Sequence, residues 1–196
     1  GHVVVIDTVN RMEVHGDEGR HAQREDRSRI TGHAELVMRM GDDTLFLHAD
    51  TLFASKDSAG GRAILARRGV RFYKRDMQGA CDTMTYVDRD SLITLRGRPF
   101  LWSGKDQING RTITITLRDG RAHLLHVLRE ALLSNKVDSL RFDQVAGTNI
   151  TGYFAHDELV NILAEGNCRT VYFAREKKAD GDDKVMGVNR ADCSRI

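Results

Sequence analysis

Proline is almost missing from this chain: Pro99 is the only one in 196 residues. Its 18 glycines are spread along the sequence rather than gathered. No flexible linker therefore divides the chain, and residues 1–196 are expected to form a single unit. No run approaches the ~18 consecutive apolar residues that a membrane helix needs, so no spanning helix lies in this stretch. Lysine is scarce, with 7 against 23 arginines. The formal charge is nonetheless only +2, which argues against a nucleic-acid partner held by bulk electrostatics. The arginine skew has two readings, phosphate recognition through a planar fork and a base-composition bias of the genome. Aromatics make up 6% with a single Trp102, too few for an aromatic-lined carbohydrate groove. Cys81, Cys168 and Cys193 form no C-x-x-C pair and match no zinc spacing. One disulfide with one free thiol and three buried thiols both remain open. The opening Gly1, with no n-region or h-region after it, is what removal of a targeting segment leaves. The closing VMGVNRADCSRI has no polar tail, and the natural protein is expected to continue beyond Ile196.

What is present is alternation. AELVMRM (34–40), TLFLHADTLFA (44–54), DTMTYVDRDSLITL (82–95) and TITITL (112–117) place apolar side chains at every second position, the period of a strand with one buried face. MGDD, VDRD, LRDG and AHDE punctuate them as turns. The expected class is all-β.

Two stretches carry a competing signal. RAHLLHVLREALLS (121–134) and DELVNILAEGN (157–167) have helical spacing, the second with Asp157 as a candidate N-cap and Gly166 as a C′ residue. Both follow a duplicated phrase at the same place, and that position favours strands. Residues 15–29 and 55–69 read as exposed loops or insertions, and 175–184 as a hairpin tip.

The duplicated phrase is DQINGRTIT (106–114) and DQVAGTNIT (143–151), 37 residues apart. Asp106 and Asp143 could serve as acid and base, but no histidine or nucleophile stands at useful spacing, and such residues commonly hold backbone N–H groups. GRPFLWSGK is no phosphate loop, since Gly97 and Gly104 are seven apart where five are needed, and Asp106 follows the lysine. His123 and His126 would face opposite sides of a strand, with no third ligand near. NIT at Asn149 is a three-letter match of little weight. No catalytic residue, metal ligand or cofactor is implied. The phrase reads instead as a rung of a repeating β-scaffold, with Gly110 and Gly147 at a positive-φ corner before Ile113 and Ile150. HADTLFAS (48–55) and GACDTMTY (79–86) echo it, the latter through Gly79.

Residues Glu130 to Phe173, EALLSNKVDSLRFDQVAGTNITGYFAHDELVNILAEGNCRTVYF, follow the cadence I-x-G-D-x-I-x-Y, turn, A-x-G-N-A. FDQVAG, PFLW, AEGN, TVYF and GVNRADCS occur with it in order. The chain resembles the OstA-like (LptA-like) family of lipopolysaccharide transport proteins over roughly residues 30–196. It departs at Thr148, where an acid usually follows the glycine, and the polar opening at 15–29 does not align.

The resemblance implies a folded-over antiparallel β-jelly roll, V- or taco-shaped, with an apolar trough between its faces. It also implies a non-enzymatic periplasmic component, associated with the outer membrane or bridging to it, that shields the acyl chains of lipopolysaccharide. Strand phase supplies the candidate trough residues: Leu36, Met38, Leu45, Leu47, Met84, Ile113, Ile115, Leu117, Ile150, Phe154 and Ile162. Arg96, Arg98 and Arg111 are the candidate rim residues for lipid phosphates. Expected partners are lipopolysaccharide or a related lipid, other envelope transport components met through edge strands, and further copies head to tail. Two other readings stay open: a structural β-repeat that assembles proteins without lipid, and an enzyme on a repetitive scaffold, which the scarcity of aromatics disfavours.

Overall fold

The computed structural model describes residues 1–9, 11–56, 60–75, 77–156, 158–176 and 184–196. Alternating β-branched, Leu and Thr residues give strands throughout, and no helix occurs among the described residues. In chain order they are β1 (Val3–Asp7), β2 (Met12–Gly16), β3 (Glu18–Ala22), β4 (Arg27–Met40), β5 (Asp43–Lys56), β6 (Arg62–Lys74), β7 (Met77–Val87) and β8 (Leu92–Arg96). Then follow β9 (Phe100–Ser103), β10 (Asp106–Asn109), β11 (Thr112–Arg118), β12 (Arg121–Lys136), β13 (Phe142–Ala155), β14 (Glu158–Glu176) and β15 (Lys184–Arg195). All pair antiparallel in one 15-stranded sheet.

That sheet is creased. Register shifts interrupt the ladders at Thr31/Ala34, His48/Thr51, Arg67/Val70, Leu128/Ala131, Ala146/Asn149 and Glu165/Cys168. Elsewhere the chain breaks outright, between β8 and β9 and between β10 and β11. The interruptions pair with one another from strand to strand, so they form a single line across the sheet. On one side lies a front half with β3, β8, β11, residues 62–67, 83–87 and 121–128. On the other lies a rear half with β1, β2, β9, β10, residues 34–48, 70–81 and 131–136.

Each crease has the same chemistry. Every second strand crosses it on two consecutive left-handed residues: Gly32-His33, Arg68-Gly69, Gly97-Arg98, Arg129-Glu130 and Gly166-Asn167. Four of the five pairs contain glycine, which adopts positive φ without a Cβ penalty. The facing strand crosses with a compact polar group. Asp17 accepts from the His33 ring at 2.8 Å, Asp50 accepts from Arg68 Nε at 2.8 Å, and Asp82 packs against Gly97. At the fourth crease the charges are exchanged, Arg111 facing Glu130. At the fifth, the Thr148 hydroxyl donates to the Gly166 carbonyl at 3.0 Å. Thr148 thus places a hydroxyl where the first three crossings use the carboxylates of Asp17, Asp50 and Asp82.

Gly110 and Gly147 do not supply the positive φ expected of them. Their strands need room rather than a special backbone angle: a Cβ on Gly110 would stand 2.5 Å from a Val127 methyl, and one on Gly147 3.3 Å from the Glu165 carbonyl. Gly79 is no corner either. It lies in β7 ahead of the Cys81-Asp82 crossing, where a Cβ would meet the Phe100 carbonyl and the Phe72 ring at 2.6 Å. The stretches 121–134 and 158–167 are strands, as the repeat position indicates; Asp157 lies outside the described residues. Two expected loops need correction. Residues 18–22 and 27–29 are arms of the β3–β4 hairpin, and 62–69 belong to β6. Of the expected tip at 175–184, residues 177–183 lie outside the described residues.

Candidate functional site

The fold turns one face of each half inward. Leu36, Met38, Leu45 and Leu47 come from the rear half, and Met84, Ile113, Ile115, Leu117, Ile150 and Phe154 from the front half. All ten are buried in one apolar cluster, with Ile162 partly buried against it. The eleven residues picked from strand phase therefore converge, and Leu95, Leu101, Ile108, Leu125 and Val127 join them. The halves are packed on one another: Leu36, Met38, Ile113 and Ile115 are at most 1% exposed. Five of the six methionines (Met12, Met38, Met40, Met77 and Met84) lie in this interior. Unbranched, polarizable thioether chains repack around irregular shapes more readily than Leu or Ile.

Opposite the crease, the hairpin tips of the two halves meet as a mouth. A Cβ on Gly120, in the β11–β12 turn, would stand 3.2 Å from the Met40 backbone, and one on Gly41 3.5 Å from the Asp119 carbonyl. Around this contact a cavity of about 590 Å³ is lined by Asp42, Asp43, Lys74, Arg75, Arg121 and Glu158, among others. Lys74 is only 5% exposed and lies 3.3 Å from Asp43. Burial acts to raise the Asp43 carboxyl, but the Thr44 and Arg75 N–H groups and Lys74 outweigh it and hold it below its ordinary range. Asp43 therefore stays ionised beside the buried ammonium. A second charged cluster lies along the mouth toward the N-terminus, where Asp7 and Met12 of the rear half meet Asp26, Lys56, Arg62 and Asp88 of the front. There the Nε and Nη1 of Arg62 are buried without a hydrogen-bond partner among the described residues, while Nη2 lies 3.4 Å from Asp88.

The three candidate rim arginines lie elsewhere. Arg96 pairs with Thr83 and Thr112 next to the crease, Arg98 is half of a left-handed pair, and Arg111 is bound to Glu130. All three are exposed on the closed side of the fold. The basic residues at the mouth, Arg62, Lys74, Arg75 and Arg121, are ones that strand phase does not reveal. They sit at strand ends, where alternation says nothing about which distant tip comes near. Asp106 and Asp143 have structural partners: Asp106 accepts from Asn135 at 2.7 Å, and Asp143 from the Phe173 N–H at 2.8 Å and Arg175 at 2.6 Å. His126 bonds Thr151 at 3.2 Å.

A creased antiparallel sheet with an apolar interior, a charged mouth and open strand edges defines the class: a folded-over β-jelly roll. Residues 13–121 match the family described as LptA/(LptD N-terminal domain) LPS transport protein. The chain belongs to that family. Its fold is also similar to the crystal structure of LptH, the LptA-homologous periplasmic component of the conserved lipopolysaccharide transport device from Pseudomonas aeruginosa. That likeness has a TM-score of 0.52 at 10% identity and covers 70% of this chain and 96% of that one. No curated protein sequence matches the chain.

Proposed function

We propose that this protein is a periplasmic carrier in lipopolysaccharide transport, which takes acyl chains between the two halves of its sheet and leaves the phosphorylated headgroup at the mouth. The observation that carries this reading is the pairing of a methionine-rich apolar interior drawn from both halves with a charged mouth, where Arg62, Lys74, Arg75 and Arg121 stand among carboxylates such as Asp42, Asp43, Asp88, Asp119 and Glu158. Since the interior is filled by side chains, the halves must part to admit a ligand. Each methylene transferred from water contributes ~0.8 kcal/mol, so a chain of about twelve carbons offers on the order of 9 kcal/mol toward that opening. Arginine and lysine at the mouth orient the headgroup through charge-assisted hydrogen bonds. No step of chemistry is required of the protein.

The strand edges fit assembly with other transport components or further copies. Val4, Val5 and Ile6 of β1 are 42–62% exposed, and Met186 and Val188 of β15 are 60% and 63% exposed. Both strands lie at ends of the sheet, where unpaired backbone groups accept another strand. Native mass spectrometry of gently purified protein is the test. The expected result is a bound lipid whose mass corresponds to lipopolysaccharide or its acylated precursor. Folded protein that carries none, and takes none up from added lipopolysaccharide, would favour the alternative of a β-repeat that only docks proteins.

A further inference from the structure

Three cysteines are present, and the function proposed above uses none of them. Cys81 lies in the core beside the crease, its thiol donating to the Thr83 carbonyl at 3.3 Å, and burial pushes it up to about 12. Such a thiol is inert. The other two are placed differently. Cys168 stands immediately after the left-handed Gly166-Asn167 pair, and the ladder resumes there with Cys168 directly opposite Cys193. The Cys168 thiol donates to the Ser194 carbonyl, next to Cys193 in sequence, at 3.5 Å. Cys168 is 2% exposed, whereas Cys193 is partly accessible to solvent.

We propose that Cys168 and Cys193 are a dithiol built to close into a cross-strand disulfide that locks the terminal strand β15 onto the sheet. Directly facing residues of an antiparallel pair have Cα atoms ~4.5–5.5 Å apart, inside the ~4.4–6.8 Å span of a disulfide. The bond therefore needs no change of register. Among the described residues β15 pairs with β14 alone, and most of β15 is exposed, so one covalent link at its C-terminal part adds to the ladder that holds this edge on a single side.

The oxidant is a protein or small-molecule disulfide; its supply in the cell rests on the periplasmic reading above. Cys193, the accessible thiol, attacks one oxidant sulfur as its thiolate, and the other oxidant sulfur leaves as a thiol. The resulting mixed disulfide at Cys193 is then attacked by the Cys168 thiolate, which releases the second thiol of the oxidant. Two electrons and two protons pass from the cysteine pair to the oxidant disulfide, which becomes two thiols.

The test uses the full chain, reduced and then equilibrated with oxidised glutathione, quenched with a maleimide in denaturant and weighed intact. Reduced protein is expected to take three maleimides, and oxidised protein one, at Cys81. Digestion with trypsin should then link the peptide ending at Arg169 to the peptide Ala191–Arg195. Three maleimides after oxidation, a lasting glutathione adduct on Cys193, or a link that includes Cys81 would overturn the assignment. As a second readout, amide exchange across β15 should slow on the order of tenfold on oxidation, and show no redox dependence when Cys193→Ser is introduced. Equal exchange rates in oxidised and reduced protein would refute the lock. Neither readout depends on bound lipid, so its failure is separable from failure of the carrier reading.

Discussion

Replacing Gly97 by Val is expected to lower stability by more than about 3 kcal/mol, a large share of the ~5–15 kcal/mol that folded domains possess. Two effects add. Gly97 has φ of 79°, and a side chain in that region costs about 1–2 kcal/mol. A Cβ there would also lie 2.2–2.6 Å from the Asp82 carboxylate, and overpacking of this kind costs about 1–3 kcal/mol. Gly104 separates the two effects. Its φ of 57° is also left-handed, but no atom of the described residues lies within 4 Å of its Cβ position, so Gly104→Ala should cost only about 1 kcal/mol. Gly97→Ala combined with Asp82→Gly should regain the packing part of the loss seen for Gly97→Ala alone, because the Asp82 Cβ at 2.5 Å goes with the carboxylate while the backbone strain at 97 stays. Denaturant midpoints of the five proteins measure all of this. Equal losses at Gly97 and Gly104 would mean that the crease is not held by this close approach.

Closing the mouth covalently is expected to abolish lipid uptake. In a background with Cys81, Cys168 and Cys193 changed to Ser, Gly41→Cys and Asp119→Cys place two thiols where the tips of the halves touch. The oxidised protein should lose at least tenfold in affinity for lipopolysaccharide, about 1.4 kcal/mol or more, and a reductant should restore it. The reduced pair controls for the substitutions themselves. Uptake that is unchanged by oxidation would place the entrance away from this contact.

The strands were legible because a sheet with one buried face writes a period of two, and TITITL or AELVMRM can hardly mean anything else. The same rule identified eleven interior positions, since phase alone decides which side of a strand faces in. It failed where strands have no buried face. All five residues of β3 are exposed, so that strand shows no alternation and its polar letters read as a loop. The crease was half legible: the repeated Gly110 and Gly147 mark the line, but the positive φ belongs to the facing strand, at Arg129-Glu130 and Gly166-Asn167. Those residues, split between E-G-N and R-E, share no motif to find. The mouth was not legible at all, because Gly41 and Asp119 meet only when the sheet folds over. The candidate rim arginines at 96, 98 and 111 lie at the crease rather than at the mouth for the same reason, as phase gives a direction but not a distance from the crease.

The most direct measurement is photo-crosslinking of lipopolysaccharide from a benzoylphenylalanine placed in turn at Met84, Ile113 and Phe154 inside the fold and at Tyr73 and Trp102, which are 54% and 36% exposed, on its outer surface. The account predicts adducts from the interior positions and none from the outer two. Labelling confined to Tyr73 and Trp102, in protein that remains folded, would contradict it.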